Sequence, residues 1–300
     1  MDNNPNTQTY FPSLSTPEWD VHALTMEGRV NRAIDLLRKN EPVEGYFLAF
    51  SGGKDSCVIK ALAKMAGVKF EAWYASTTID PPELIHFLKE HHSDVQWELP
   101  KYGSMLHRVR THNAGPPTRL RRWCCREYKE GSGKGRVKVM GVRAAESHGR
   151  RLRWRETVGE GKNQAVCPIV YWTDEHVWEF LRGYNIPYCK LYDEGFKRLG
   201  CVGCPLNPSG RVHQFERWPR MKENWKKAVM ANWENMRTRI NRDGKPYFQA
   251  RFKSAEEFWL WWLGEDSPDY ASGDCQGEQL WVNFDGATAE EIDRINRETT

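Results

Sequence analysis

The chain has 300 residues, a net charge of +4, 14 Trp and eight Cys. Its length admits one large domain or two, its apolar content is ample for a core, and no apolar run reaches the ~18 residues of a membrane span. The polar stretch Met1–Pro17, with its Pro and Asn residues, lacks the pattern of a signal peptide, so the cytoplasm is the expected compartment and no membrane partner is expected.

Residues 1–20 read as a flexible arm. Val21–Lys39 carries Leu24, Val30, Ile34 and Leu37 at helical spacing and ends on basic residues, as a helix C-terminus favours. Tyr46–Phe50 is an unbroken apolar run and reads as a buried strand. The turn Ser51-Gly52-Gly53-Lys54-Asp55-Ser56 comes next, then Cys57–Met65 with helical spacing. A strand, a Gly-bearing turn and a helix start gather backbone N–H groups around one anion-sized hollow. Ser51 and Ser56 add hydroxyls, Lys54 a positive charge, and Asp55 a carboxylate for a magnesium ion or the helix start. The spacing is not that of the Walker A loop.

Val68–Tyr74 reads as a second strand, followed by Thr77, Thr78 and Asp80 at its carboxyl end. Pro82–His91 reads as a helix with Pro in its first turn, Val95–Leu99 as a short strand and Ser104–Thr111 as a helix. Arg136–Val142 and Val166–Tyr171 read as strands, and Asp174–Arg182 as a helix with Thr173 as N-cap. Strands alternating with helices predict an α/β fold: an open, mostly parallel sheet with flanking helices, binding its ligand beyond the carboxyl ends of the strands. This nucleotide-binding domain is expected over residues 21–210. Residues 211–300 form a helical, Trp-rich part with expected helices at Arg217–Ile240 and Ser254–Leu263. Its Trp residues suit ordinary packing better than base stacking.

Charge is unevenly spread. Lys101–Arg155 holds 16 Lys and Arg against three Glu, whereas Ser254–Thr300 holds 12 acidic residues against two Arg. The basic stretch 101–155 predicts a polyanionic partner, a nucleotide or a nucleic acid, with Arg150, Arg151, Arg153 and Arg155 as candidate backbone contacts. Gly131–Gly135 precedes a strand and reads as a connector.

Two cysteine pairs stand out: Cys124-Cys125 and, after 75 intervening residues, Cys201-x-x-Cys204. Four thiolates suit a [4Fe–4S] cluster or a structural zinc. Vicinal cysteines fit different irons of a cluster more easily than one tetrahedral ion, which favours iron–sulfur. Cys57 and Cys167 read as core thiols, Cys189 as a spare ligand, sulfur relay or buried thiol, and His91, His92, His148 and His176 as surface or satisfied histidines.

The loop Ser51–Ser56 resembles the PP-loop of the ATP pyrophosphatases. Together with Thr78–Glu83, Pro116–Arg119 leading into Cys124-Cys125, Gly141–Ser147 and Tyr192–Arg198, it makes residues 45–210 similar to the phosphoadenosine phosphosulfate reductase family, in its iron–sulfur branch. The resemblance implies a nucleotide site of Ser51, Gly52, Gly53, Lys54, Asp55, Ser56, Thr78, Asp80, Gly141, Arg143 and Ser147. Lys54, Asp55 and Arg143 would act on the phosphates, and Cys124, Cys125, Cys201 and Cys204 would hold a [4Fe–4S] cluster. The chain lacks the family's Glu-Cys-Gly-Leu-His segment, and Cys275 is its only late thiol. Its Ser-Gly-Gly-Lys-Asp-Ser loop resembles the ATP-using members. The resulting expectation is magnesium-dependent ATP cleavage that adenylates an acceptor and supports sulfur transfer to nucleic acid, with a sulfur-donor protein as partner. The alternatives are thiol-dependent reduction of adenylylsulfate or its 3′-phosphorylated form, and a non-catalytic accessory protein of a phage or defence system.

Overall fold

A computed structural model describes residues 24–238, 240 and 252–264. Contacts divide the chain into two compact units. Among the described residues the first holds 24–108 and Leu120–Val202, and the second holds Val109–Arg119 with those from Gly203 onward.

The first unit is built on six strands: β1 (Tyr46–Ala49), β2 (Phe70–Ala75), β3 (Gln96–Glu98), β4 (Lys138–Val139), β5 (Thr157–Val158) and β6 (Ala165–Val166). Their order is β3-β2-β1-β4-β6-β5. Every neighbouring pair is parallel except β5–β6. This is the expected α/β architecture with a mostly parallel sheet. The chain moves outward from β1 through β2 to β3 and later returns to β1's other side with β4, so the strand order reverses beside β1. An open sheet leaves a crevice at such a point, and the loop leaving β1 opens into it.

Helices α1 (Met26–Lys39), α2 (Lys54–Ala66), α3 (Pro82–His91), α4 (Met105–Thr111) and α7 (Asp174–Gly183) flank the strands, with the short α5 (Trp123–Cys125) and α6 (His148–Arg153) in the connections. β1 is apolar along its length because it lies between neighbours on both edges and helices on its faces. Leu48 is fully buried, as are Ile59 and Leu62 of α2 and Phe180 of α7. The Tyr46 hydroxyl donates to the Leu37 carbonyl at 2.7 Å and ties β1 to the end of α1. Thr173 caps α7, its hydroxyl accepting from the His176 N–H at 3.3 Å, as the sequence predicts.

Two expected strands are shorter than predicted. Arg136–Val142 contributes Lys138–Val139 alone, and only the start of Val166–Tyr171 lies in a strand; the chain then turns, with Val170 N–H donating to the Cys167 carbonyl at 3.1 Å. The apolar residues beyond the strand remain buried by packing in that turn, so periodicity alone did not separate them from the strand. Trp123–Cys125 continues into five residues of π-helical pitch, Arg126–Glu130, for which the chain carries no local signal.

In the second unit, the helix predicted over Arg217–Ile240 is α9 (Pro219–Arg237), and it is preceded by a helix that was not predicted, α8 (Pro208–Arg217). Pro219 excludes helical backbone at the residue before it, and Trp218 accordingly has φ −125° and ψ 71°. α10 (Ala255–Leu263) is capped by Ser254, whose hydroxyl accepts from the Glu257 N–H at 3.1 Å. Its Trp262 ring stacks on Trp225 at 4.8 Å between centroids, and Trp259 stacks on Trp262 at 5.5 Å. Arg211, buried, donates to the Trp262 carbonyl at 2.7 Å and lies over that ring. Asn232 donates to the carbonyls of Val109 and His112 at 2.8 and 3.0 Å, and Trp262 Nε1 to that of Pro117 at 2.8 Å, which holds segment Val109–Arg119 in this unit. These tryptophans pack against one another. No helix among the described residues is long and apolar enough to cross a membrane.

Leu48→Ala removes a fully buried side chain from the central strand. It should lower unfolding free energy by about 2–5 kcal/mol, read from a urea titration followed by circular dichroism.

Candidate functional site

The loop between β1 and α2 turns on Gly52, whose φ of +73° is in the left-handed region. A Cβ there would stand 2.8 Å from Leu84 Cδ1 of α3, so glycine is required both by the backbone and by the neighbour. Gly53 is the N-cap of α2 and offers no side-chain cap, leaving the helix's first N–H groups to other partners. The Gly53 N–H donates to Ser51 Oγ at 3.3 Å, and Ser56 Oγ donates to the Gly53 carbonyl at 2.7 Å. The Lys54 N–H donates to the Tyr192 hydroxyl at 2.9 Å. A helix start with the charge of its dipole and exposed N–H groups is an anion seat.

Two cations stand at this seat. Lys54 and Arg143 are 5 % and 4 % exposed, and buried charges need counter-charges. Lys54 Nζ lies 3.0 Å from Asp174 Oδ1 and 3.6 Å from Asp55 Oδ2. Arg143 Nε lies 2.6 Å from Asp55 Oδ1, and Arg143 Nη2 lies 2.9 Å from the same Asp174 Oδ1. One carboxylate oxygen therefore accepts from both cations. Burial acts to raise the Asp174 pKa, but the bonds from Lys54, the charges of Lys54 and Arg143 and the bond from Trp178 hold it below its ordinary value. Burial pushes the Tyr192 phenol up, so its hydroxyl stays protonated beside the loop. Gly141, just past β4, brings its backbone against α2: a Cβ there would be 3.2 Å from the Asp55 carbonyl.

The remaining predicted nucleotide residues divide. Thr78 has φ +64°, a conformation costing a β-branched residue ~1–3 kcal/mol, and its hydroxyl accepts from the Met105 N–H at 2.9 Å. Asp80 is buried and accepts from the hydroxyls of Tyr74 and Thr77, each at 2.6 Å. Ser147 caps α6, accepting from the Arg150 N–H at 3.2 Å. Arg150 pairs with Glu146. Its pKa is lowered by burial and then by Arg198, with Asp55 opposing and Arg143 and Arg122 adding to the fall, so guanidinium groups dominate this rim. Arg151 and Arg153 are exposed.

Among the described residues no group of three or more His, Cys, Asp or Glu side chains is placed to hold a metal ion. Lys129, on the π-helical turn after α5, lies within electrostatic reach of Cys125 and Cys201. Lost hydration acts against its charge, but Cys201 and Asp80, a bond to the Cys201 sulfur, and Cys125 raise its pKa. The Cys125 thiol is pulled down to about 6, first by a hydrogen bond from Cys124, against burial, and then by Arg122. Cys201 Sγ lies 3.5 Å from Thr77 Oγ1. A thiolate of this kind is a soft donor suited to iron or zinc. Cys57, Cys167 and Cys189 are buried, and Cys275 lies outside the described residues.

Sequence reasoning treated Asp174 as a helix start and Tyr192 as part of a matching segment, and assigned neither a role at the loop. An acidic residue directly after an N-cap Thr, at the carboxyl-end side of a strand, was the available signal for Asp174; nothing local marked Tyr192.

Residues 45–207 match the family model described as phosphoadenosine phosphosulfate reductase domain. An uncharacterized protein of Methanocaldococcus jannaschii is 30% identical over 202 residues, covering 61% of this chain and 41% of that one. A probable FAD synthase of Caenorhabditis elegans is 27% identical over 195 residues, covering 63% of this chain and 36% of that one. The chain thus spans less than half the length of these curated relatives. The crystal structure of phosphoadenylyl-sulfate reductase from Candida auris, in complex with phosphate, aligns with 60% of this chain and 97% of its own at 14% identity and a TM-score of 0.46.

In metal-free protein, alkylation of Cys125 should rise with pH through a midpoint at about 6, because the thiolate is the nucleophile. Cys124→Ala removes the leading cause of that depression and should move the midpoint upward; mass-spectrometric peptide mapping across a pH series reads both.

Proposed function

The chain belongs to the phosphoadenosine phosphosulfate reductase domain family, and we propose that it binds ATP with magnesium at the β1–α2 loop and adenylates an acceptor with release of pyrophosphate. The observation that carries this reading is the pair of buried cations, Lys54 and Arg143, beside an uncapped helix start, both bonded to one oxygen of Asp174. Phosphate oxygens are the natural replacement for that carboxylate oxygen. They would take the loop N–H groups, Lys54 and the Arg143 fork, while Asp55 and Asp174 become available as oxygen donors. Magnesium favours one or two carboxylates plus substrate phosphates, and this pair has that chemistry. The ion would offset the charge of the triphosphate.

In the reaction, an acceptor oxygen forms a bond to the α-phosphorus as the bond to the bridging oxygen breaks, and pyrophosphate leaves with that electron pair. Lys54 and Arg143 are already in place to stabilise the charge that grows on the leaving oxygens. Tyr192 holds the first turn of α2 through the Lys54 N–H and so keeps the donors aimed. A sulfur nucleophile then displaces AMP from the activated acceptor. Nucleic acid is the acceptor that best suits the guanidinium-rich rim around Arg150, and a sulfur-donor protein would supply the sulfur. Cys124, Cys125, Cys201 and Cys204 would hold a [4Fe–4S] cluster. The acidic Cys125 thiol fits such a ligand, and the cluster would supply a redox-capable centre near the nucleotide.

Family membership supports a second reading, reduction of a sulfonucleotide at the same loop. Competition calorimetry separates the two: preferential ATP–magnesium binding supports adenylation, and preferential adenylylsulfate binding supports reduction. Lys54→Ala should weaken ATP–magnesium binding roughly 10- to 100-fold and abolish pyrophosphate release, with Asp174→Asn reducing release while the fold persists. Undiminished pyrophosphate release from Lys54→Ala would overturn the adenylation reading.

A further inference from the structure

Behind the loop, a buried line of polar groups runs inward from the surface. Asp94 Oδ1 accepts from Lys60 Nζ at 2.5 Å, and Asp94 also pairs with Lys64 at 3.2 Å. Lys60 is 2 % exposed, on the face of α2 that packs inward, and its Nζ lies 3.0 Å from His92 Nδ1. His92 Nε2 lies 3.8 Å from Cys57 Sγ, and Cys57 Sγ lies 3.9 Å from the Gly52 carbonyl oxygen. Phe50 and Phe87 meet the His92 ring edge-on, at 4.7 and 5.0 Å between centroids.

The donors and acceptors in this line allow one arrangement. An ammonium only donates, so His92 Nδ1 must accept from Lys60 and the ring proton must sit on Nε2. Nε2–H then points at Cys57 Sγ, and the Cys57 S–H points at the Gly52 carbonyl. Burial keeps both ends of this link uncharged. It pulls His92 down to about 4, aided by Lys60, His91 and Lys64 and opposed by Asp94. It pushes the Cys57 thiol up, so the sulfur keeps its proton.

We propose that His92, as its Nε2–H tautomer, is a positioning residue for the phosphate loop, transmitting the Lys60–Asp94 ion pair through Cys57 to the Gly52 carbonyl. In a trans peptide the C=O and the next N–H point in opposite directions. Holding the Gly52 carbonyl inward therefore aims the Gly53 N–H outward, toward the hollow where Ser51 Oγ now accepts from it. Gly52 has no side chain to fix its own peptide, and its positive φ leaves that peptide dependent on what grips it from behind. An aliphatic residue at position 60 would fill the same space without the cost of burying an ammonium, so packing alone does not call for this line. The benefit of the line to ligand affinity rests on the nucleotide-binding reading; the orientation of the loop peptide does not.

Nuclear magnetic resonance tests the orientation without ligand. Two-bond nitrogen–proton spectra should show His92 as a neutral Nε2–H ring from pH 5 to 8, and Cys57→Ala should move the Gly53 amide resonance while Cys57→Ser, which keeps a donor, leaves it near its original place. An Nδ1–H ring, an imidazolium at pH 7, or a Gly53 amide indifferent to Cys57→Ala would overturn the proposal. Calorimetry with ATP–magnesium then reads the consequence. The double variant Lys60→Met, His92→Phe should lose about tenfold in affinity with an unchanged urea midpoint, and Cys57→Ser should bind within about twofold of the parent protein. Parent-level affinity in both the double variant and Cys57→Ala would also overturn it. If the parent protein binds no nucleotide, the function reading fails and the ligand-free spectra still decide the role of His92.

Discussion

Two cations buried at the mouth of one strand–turn–helix impose the constraint on which this site depends. Lys54 comes from the start of α2 and Arg143 from the segment after β4, and neither can remain charged in that position without an anion. Asp55 is one residue from Lys54 and serves both. Asp174 arrives from α7 and places a single oxygen between them. The order of the strands makes this meeting possible: β1 and β4 are parallel neighbours, so the segments leaving their carboxyl ends lie on the same side of the sheet. The result is a compact cluster of two cations and two carboxylates.

Much of this arrangement was legible in the chain because its signals were local. The six residues of the loop, Pro82 opening α3, Thr173 capping α7 and the apolar run of β1 each declare themselves within a few positions. What escaped was determined across the fold. Asp174 looked like an ordinary helix-start carboxylate until Lys54 and Arg143 were placed beside it. Tyr192 carries no pattern that predicts a bond to a backbone N–H so far away in sequence. His92 was read as satisfied or exposed, and its burial between Phe50 and Phe87 depends on how α3 ends against α2. The short strands β4 and β6 were overestimated because apolar residues beyond them are buried by turns.

Among the described residues, the second unit packs its helices on aromatic side chains. Trp225, Trp259 and Trp262 stack in sequence, and Arg211 directs its charge to the carbonyl end of α10 and to the face of Trp262. A helix C-terminus carries partial negative charge, so a guanidinium there satisfies the carbonyl and the dipole together. Helices with large flat side chains can thus enclose a core that the same number of aliphatic helices would leave thin.

The capture of Val109–Arg119 by the second unit has a consequence for how the protein can change over generations. Asn232 and Trp262 take up the carbonyls of a segment that interrupts the first unit's sequence. The second unit is therefore not a cassette that recombination can add or delete at one junction. A break after Val202 would remove the helices yet leave their eleven-residue strap behind, its carbonyls stripped of partners and its apolar residues uncovered. The two stretches are bound into one folding unit and would have to change together.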